Sequence, residues 1–204
     1  MYSLLICDCP WSYNDKASAG NRGAEFKYPC MPLQDLANMD TYIDSIAHND
    51  SVLYMWTTGP MMPEAITLMA AWHYTYKTIA FTWIKTNKNP CGKDDNFRPM
   101  FLETYEDLNH NIITVGDFMS MGNHTRSNAE FVLLGIRGKG VKRVSASVRS
   151  TIISPVREHS RKPDEIFSRL DTLYGDIPKI ELFSREKRPG WDQHGNQTEM
   201  FNTN

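Results

Sequence analysis

Short apolar runs alternate along the chain with segments whose hydrophobic side chains recur every three or four positions. Leu4-Leu-Ile-Cys7 runs into Asp8, and Val52-Leu-Tyr-Met-Trp56 runs into Thr57-Thr-Gly-Pro60. Apolar runs of that length, closed by an acid or by turn residues, have the character of buried strands. Between them Leu33, Leu36, Tyr42 or Ile43 and Ile46 fall at near-helical spacing, and Ala65, Leu68, Met69 and Trp72 do so after the second run. These segments predict amphipathic helices. Residues 74 to 85 are rich in β-branched and aromatic side chains, and residues 131–136 and 180–183 are further apolar runs. All three predict strands. A helix is expected from about Pro163 to Leu173, with proline in the permitted first turn and Asp164 and Glu165 at the positive end of its dipole. Alternating strands and helices imply an α/β fold, a doubly wound and mostly parallel sheet with helices on both faces.

Residues 86–126 break this pattern. They are rich in Asn, Asp, Gly, Pro, His and Arg, with scattered apolar positions such as Phe97 and Ile112-Ile113, and predict a long loop or lid over a functional site. The tail beyond Trp191 is polar. No internal repeat or low-complexity tract is present.

Composition narrows the class. The 204 residues are 41% hydrophobic and 23% charged, enough apolar material for one folded domain spanning residues 1–204. The four cysteines, Cys7, Cys9, Cys30 and Cys91, contain no C-x-x-C pair and read as reduced thiols, and no Cys or His spacing suits zinc, so no metal is expected. Neither a leader peptide nor a membrane-length apolar run is recognisable, which points to a soluble, cytoplasmic protein.

The net charge of −2 conceals a segregation of sign. Residues 33–70 carry Asp35, Asp40, Asp44, Asp50 and Glu64 with no Lys or Arg, whereas residues 137–162 carry Arg137, Lys139, Lys142, Arg143, Arg149, Arg157, Arg161 and Lys162 against Glu158 alone. The second stretch is either a solvated basic face or a surface that neutralises phosphates.

Asp8-Cys9-Pro10-Trp11 directly follows the first strand. In open parallel sheets ligands gather at the carboxyl ends of strands, so an acid there faces a site. A carboxylate accepting one N–H of an adenine amine, with a backbone carbonyl accepting the other, would localise the amine lone pair for attack. Asp8 and the Cys9 carbonyl can do this together, Pro10 would fix the carbonyl's direction, and Trp11 would stack on an extruded base. An acid, a proline and a tryptophan also simply end strands in turns, so the tetrapeptide needs support from elsewhere.

That support is a resemblance spread over residues 4–197. Asp8-Cys-Pro-Trp11, Tyr28-Pro-Cys-Met31, Leu53-Tyr-Met-Trp56, residues 71–76, Trp83-Ile-Lys-Thr86, residues 128–138, residues 159–165, Glu181-Leu-Phe-Ser-Arg185, Gly190-Trp191 and Gly195-Asn-Gln197 occur in the order found in the MT-A-seventy family. This is the family of the messenger-RNA N6-adenosine methyltransferase catalytic subunit and its bacterial and phage relatives. The resemblance implies a Rossmann-like S-adenosylmethionine-dependent methyltransferase fold with permuted motif order, acid motif first and cofactor motif last. It implies transfer of a methyl group from S-adenosyl-L-methionine to the N6 amine of adenine in nucleic acid, and a homo- or heterodimer is common among relatives; DNA is favoured over RNA because no RNA-binding appendage is recognisable in the sequence. By the same resemblance Asp8, Cys9, Pro10 and Trp11 are the catalytic motif. Tyr28, Lys85 and Arg126 are substrate contacts, and Lys162, Arg185, Asn196 and Gln197 are cofactor contacts.

Two departures stand out. The family motif is Asp-Pro-Pro-Trp, and Cys9 replaces its first proline; a position acting through its carbonyl retains the hydrogen bond but loses a ring constraint. Only seven residues precede Asp8, so contacts made by an upstream segment in relatives must be replaced or absent. There is no G-x-G-x-x-G loop, which argues against a dinucleotide-binding chain. A catalytically silent nucleic-acid-binding partner of the same fold, and an enzyme modifying the amine of a protein or small molecule, remain as alternatives. Without the resemblance Lys162 and Arg185 read as surface cations, Trp56, Trp72 and Trp83 read as core, and Glu130 and Arg137 are as readily structural as functional.

Overall fold

The computed structural model describes residues 1–12, 30–87, 103–106, 112–118, 124–158, 160–195 and 198. The element order is β1 (Tyr2–Cys7), α1 (Leu33–Ala37), α2 (Asp40–Ile46), β2 (Ala47–Thr57), a 3-10 turn, α3 (Met62–Ala71), β3 (Thr75–Asn87), β4 (Glu103–Glu106) and β5 (Ile112–Asp117). It continues with β6 (Ala129–Arg137), β7 (Thr151–Pro155), α4 (Glu165–Tyr174), β8 (Lys179–Leu182) and β9 (Asp192–His194).

The strands form a nine-stranded sheet ordered β4-β5-β3-β6-β2-β1-β8-β9, with β7 paired to β3. Seven strands run in one direction and β5 and β6 oppose them, because β2–β6, β3–β6, β3–β5 and β4–β5 are antiparallel and the remaining four pairings are parallel. The expectation of a mostly parallel sheet therefore holds for strand direction but only for half of the pairings. The helix-crossover rule works for β2-α3-β3, but β6 enters from the strands before it with no crossover helix and inserts between β2 and β3. The expected lid of residues 86–126 contains the antiparallel pair β4–β5, which extends the sheet beside β3.

Period-two alternation divides the core. Leu5 and Cys7 of β1 and Leu53 and Met55 of β2 pack under α1, α2 and α3, with Leu36, Ile43, Leu68, Met69 and Trp72. Leu4, Ile6, Val52, Tyr54 and Trp56 face the other side, against Ile166, Phe167, Leu170 and Tyr174 of α4. Both sheet faces are thus covered, the property that lets strands be almost wholly apolar. Trp72 is fully buried, and its Nε1 donates to the Leu36 carbonyl at 2.9 Å, tying α3 to α1. The end of α3 is a Schellman closure, with His73 N–H on Ala70 O at 3.0 Å and Tyr74 N–H on Met69 O at 2.8 Å. His73, rather than a glycine, takes the left-handed position with φ 63. Trp56, Trp72 and Trp83 are all core residues, as their apolar surroundings suggest.

Candidate active site

The catalytic-motif segment leaves β1 at the carboxyl end of three strands running the same way, where Cys7 pairs with Met55 of β2 and Leu182 of β8. The chain then turns sharply: Trp11 N–H donates to the Cys9 carbonyl at 2.8 Å, the i to i+2 closure of a γ-turn over Pro10. Met31 N–H donates to the Pro10 carbonyl at 2.8 Å, anchoring the turn to the segment before α1. One lone pair of the Cys9 carbonyl is thus engaged, and a carbonyl oxygen has a second for an incoming N–H. The Cys9 thiol is buried, 3.8 Å from the Cys7 sulfur, and burial holds its pKa well above the ordinary thiol value. Neither thiol is exposed for chemistry.

Trp11 is only 4% exposed and packs in the cluster under the helices with Cys7, Cys9 and Leu36. Its ring is placed as core, and its Nε1 is buried with no hydrogen-bond partner among the described residues.

Asp8 lies instead in a shallow cleft open to solvent, shared with Trp56, Lys162, Glu181, Phe183 and Arg185. Lys162 Nζ is 2.8 Å from Asp8 Oδ2 and 3.3 Å from Glu130 Oε2. Glu130 Oε1 accepts from Lys85 Nζ at 2.5 Å, and Arg185 approaches Asp8 Oδ2 at 4.0 Å. The result is an alternating chain, Lys85, Glu130, Lys162, Asp8, Arg185, drawn from β3, β6, the segment before α4, the turn after β1 and the turn after β8. Burial alone would push the Lys162 ammonium down, but the Asp8 and Glu130 carboxylates outweigh it and hold its pKa above the ordinary lysine value. Burial likewise pushes the Glu130 carboxyl up, and Lys162 and Lys85 outweigh that and leave it below the usual range.

Glu181 on β8 has the opposite balance. Burial drives its pKa up to about 7, against Arg188 and the Ser184 hydroxyl, with the Asp8 and Glu186 charges adding to the rise. The cleft also gathers backbone in rare conformations: Ser160 (φ 62) and Phe183 (φ 58) both line it, and the only other described non-glycine residue with positive φ is His73. Such conformations persist where surrounding contacts over-determine them, often at functional sites. Arg157 fixes the approach to Lys162 by donating to its backbone carbonyl and pairing with Asp164 at 2.5 Å. Arg188 binds the other Asp164 oxygen at 2.6 Å. These arginines occupy the Asp164 side chain, which makes no cap hydrogen bond to α4 although Asp164 stands at its N-cap position.

The structure therefore joins Asp8, Lys85, Lys162 and Arg185. Arg126 is exposed on the stretch leading into β6, and no described contact brings it to the cleft. Tyr28, Asn196 and Gln197 lie outside the described residues. The basic stretch is corrected: Arg137 pairs with Asp44 at 2.8 Å, Arg157 with Asp164, Arg161 with Glu186 at 2.9 Å and Lys162 with Asp8. Half of its cations are thus committed to the protein's own carboxylates. The roles of Glu130 and Glu181 were not assigned from sequence, although each is an acid embedded in an apolar strand, a pattern that itself signals a buried partner or a site.

An S-adenosyl-L-methionine molecule fits the chemistry of this cleft: Lys162 and Arg185 suit a carboxylate, Asp8 and Glu181 suit cationic groups, and Trp56 and Phe183 supply apolar surface. Residues 2–112 and 104–197 match the MT-A70 family model. The chain is 31% identical over 211 residues to a type II methyltransferase, M.MunI, of a Mycoplasma species, covering 95% of this chain and 76% of that protein. It is 25% identical to an N(6)-adenosine-methyltransferase MT-A70-like protein of Arabidopsis thaliana and 24% identical to the human N(6)-adenosine-methyltransferase catalytic subunit METTL3. Each match covers 96% of this chain but only 24% and 28% of those longer proteins. With an acid-Cys-Pro-Trp turn over a charged cleft and a family model matched along nearly its whole length, the chain belongs to the MT-A70 methyltransferase family.

Proposed function

We propose that this chain transfers a methyl group from S-adenosyl-L-methionine to the N6 amine of adenine in nucleic acid, with DNA as the preferred polymer. The observation that carries the reading is the placement of Asp8 in the cleft, with one carboxylate oxygen engaged by Lys162. The preference for DNA rests on the higher identity to the type II methyltransferase, 31%, than to the N(6)-adenosine-methyltransferases, 24–25%.

The bound cofactor supplies an electrophilic methyl on a sulfonium; the rest of the work falls to the chain's own residues. Asp8 accepts one N–H of the amine, and the free lone pair of the Cys9 carbonyl accepts the other, which aligns the amine lone pair for direct attack. As the new N–C bond forms, the amine becomes cationic, and the Asp8 carboxylate stabilises it and takes the departing proton. Lys162 holds Asp8 in place and, through Glu130, is itself braced by Lys85. No covalent enzyme intermediate is required. Incubating the protein with methyl-labelled cofactor and either unmethylated DNA or RNA tests the reading: label in DNA adenine supports it, label in RNA alone corrects the polymer, and cofactor binding without transfer to either refutes it in favour of a silent partner.

A further inference from the structure

Residues 138–157 contain no Asp or Glu and carry Lys139, Lys142, Arg143, Arg149 and Arg157. Arg157 is committed to Asp164 and the Lys162 carbonyl, but the other four are exposed, and none forms an ion pair among the described residues. The backbone that presents them is pinned. Lys139 N–H donates to Asp50 Oδ1 at 2.7 Å, Gly140 N–H to Arg137 O at 3.0 Å and Val144 N–H to Leu173 O at 2.8 Å. Arg169 donates to the carbonyls of Arg149 at 2.5 Å and Thr151 at 2.7 Å. Gly138 has φ +58, and a Cβ there would lie 2.2 Å from Asp50 Oδ1, so the entry to the loop requires glycine.

Lys139 stands at the far end of the sheet from the catalytic turn, whereas Arg149, two residues before the Thr151 that pairs with Thr82, stands near the level of that turn but on the outer side of β3. Lys139 is bonded to Asp50, five residues before Met55, the partner of Cys7 in register. At ~3.3 Å per strand residue the Lys139 end of the basic surface is roughly 20 Å from Asp8. That is about six nucleotide steps at ~3.4 Å each. Val144 is its one large exposed apolar side chain, too little for a membrane surface or a protein-docking core.

We propose that the rim formed by Lys139, Lys142, Arg143 and Arg149 is a second phosphodiester-binding surface, which grips the nucleic-acid backbone away from the base at Asp8. Its placement on the substrate polymer rests on the proposed reaction, whereas its affinity for phosphodiester chains does not. Cationic side chains on a pinned backbone position a phosphodiester chain without reading its sequence.

The test is equilibrium binding of the full chain to labelled duplex DNA, single-stranded DNA and RNA across a salt series. Wild type is compared with the Lys139→Gln, Lys142→Gln, Arg143→Gln, Arg149→Gln quadruple variant. The quadruple variant is expected to make the slope of log affinity against log salt shallower by about 3, to bind more than tenfold more weakly at low salt, and to keep the wild-type unfolding midpoint. The polymer whose slope changes is the one the rim grips. Methyl transfer by wild type, assayed in parallel, reads a failure of the proposed reaction separately from a failure of the rim, because the salt slope is measured without any transfer. An unchanged slope and affinity for all three polymers in the quadruple variant would overturn the proposal.

Discussion

The Lys162 ammonium bridges two carboxylates, 2.8 Å from Asp8 on the turn after β1 and 3.3 Å from Glu130 on β6. A single cation thereby couples the catalytic turn to the antiparallel strand inserted beside β2. Because removing Lys162 leaves the partly buried Asp8 and Glu130 carboxylates uncompensated, Lys162→Ala should lower methyl transfer by about 10²-fold or more. Steady-state rates at saturating cofactor check this, and Lys162→Arg should recover part of the loss.

Glu130 acts through its neighbours, so its substitutions should separate charge from shape. Glu130→Ala strands Lys85 and Lys162 and should cost about 3 kcal/mol of stability, whereas Glu130→Gln keeps one acceptor and should cost less. Urea unfolding midpoints with unchanged slopes measure both; equal costs would mean that the pairing with the two lysines is not what Glu130 contributes.

Glu181 predicts a pH signature. Its carboxyl binds a proton more tightly folded, with a pKa of about 7, than at its ordinary value of 4.5. Its contribution to stability is therefore fully present below pH about 4.5 and lost as pH rises through about 7. Relative to Glu181→Gln, wild type should lose up to about 3 kcal/mol across that window. Denaturation curves taken at several pH values decide it, and parallel pH profiles for the two proteins would contradict it.

Much of this architecture is legible in the sequence. The strands and helices around Asp8 follow from apolar runs and helical spacing, because each is local. What depends on distant pairing is less so: β6 carries the same apolar signature whichever way it runs, and nothing in residues 129–137 announces that it lies between β2 and β3. The same limit hides Glu130, whose meaning appears only when Lys85 and Lys162 converge on it from other elements. Asp8, Lys162 and Arg185 were reached through ordered motifs, not through spacing alone. Trp11 shows the reverse: its motif position suggests a stacking surface, yet the γ-turn over Pro10 carries its ring into the core.

That burial gives Trp11 a measurable structural weight. Trp11→Ala should cost about 3 to 5 kcal/mol of stability through the cavity it leaves. Chemical denaturation checks this; a loss of transfer at unchanged stability would instead assign the ring to the substrate.

Cys9 should matter through its carbonyl and not its sulfur. Cys9→Ala is expected to keep transfer within about threefold of wild type, a difference below 1 kcal/mol. Rates under reducing conditions test this, and a loss of two orders of magnitude would give the thiol a role that its burial argues against.

The most direct test of the central claim is to digest methylated nucleic acid to nucleosides and identify the product by mass spectrometry, using wild type and Asp8→Ala side by side. The account predicts N6-methyladenine from wild type and none from Asp8→Ala. A methyl group found on another atom, or undiminished N6-methyladenine from the Asp8→Ala protein, would contradict it.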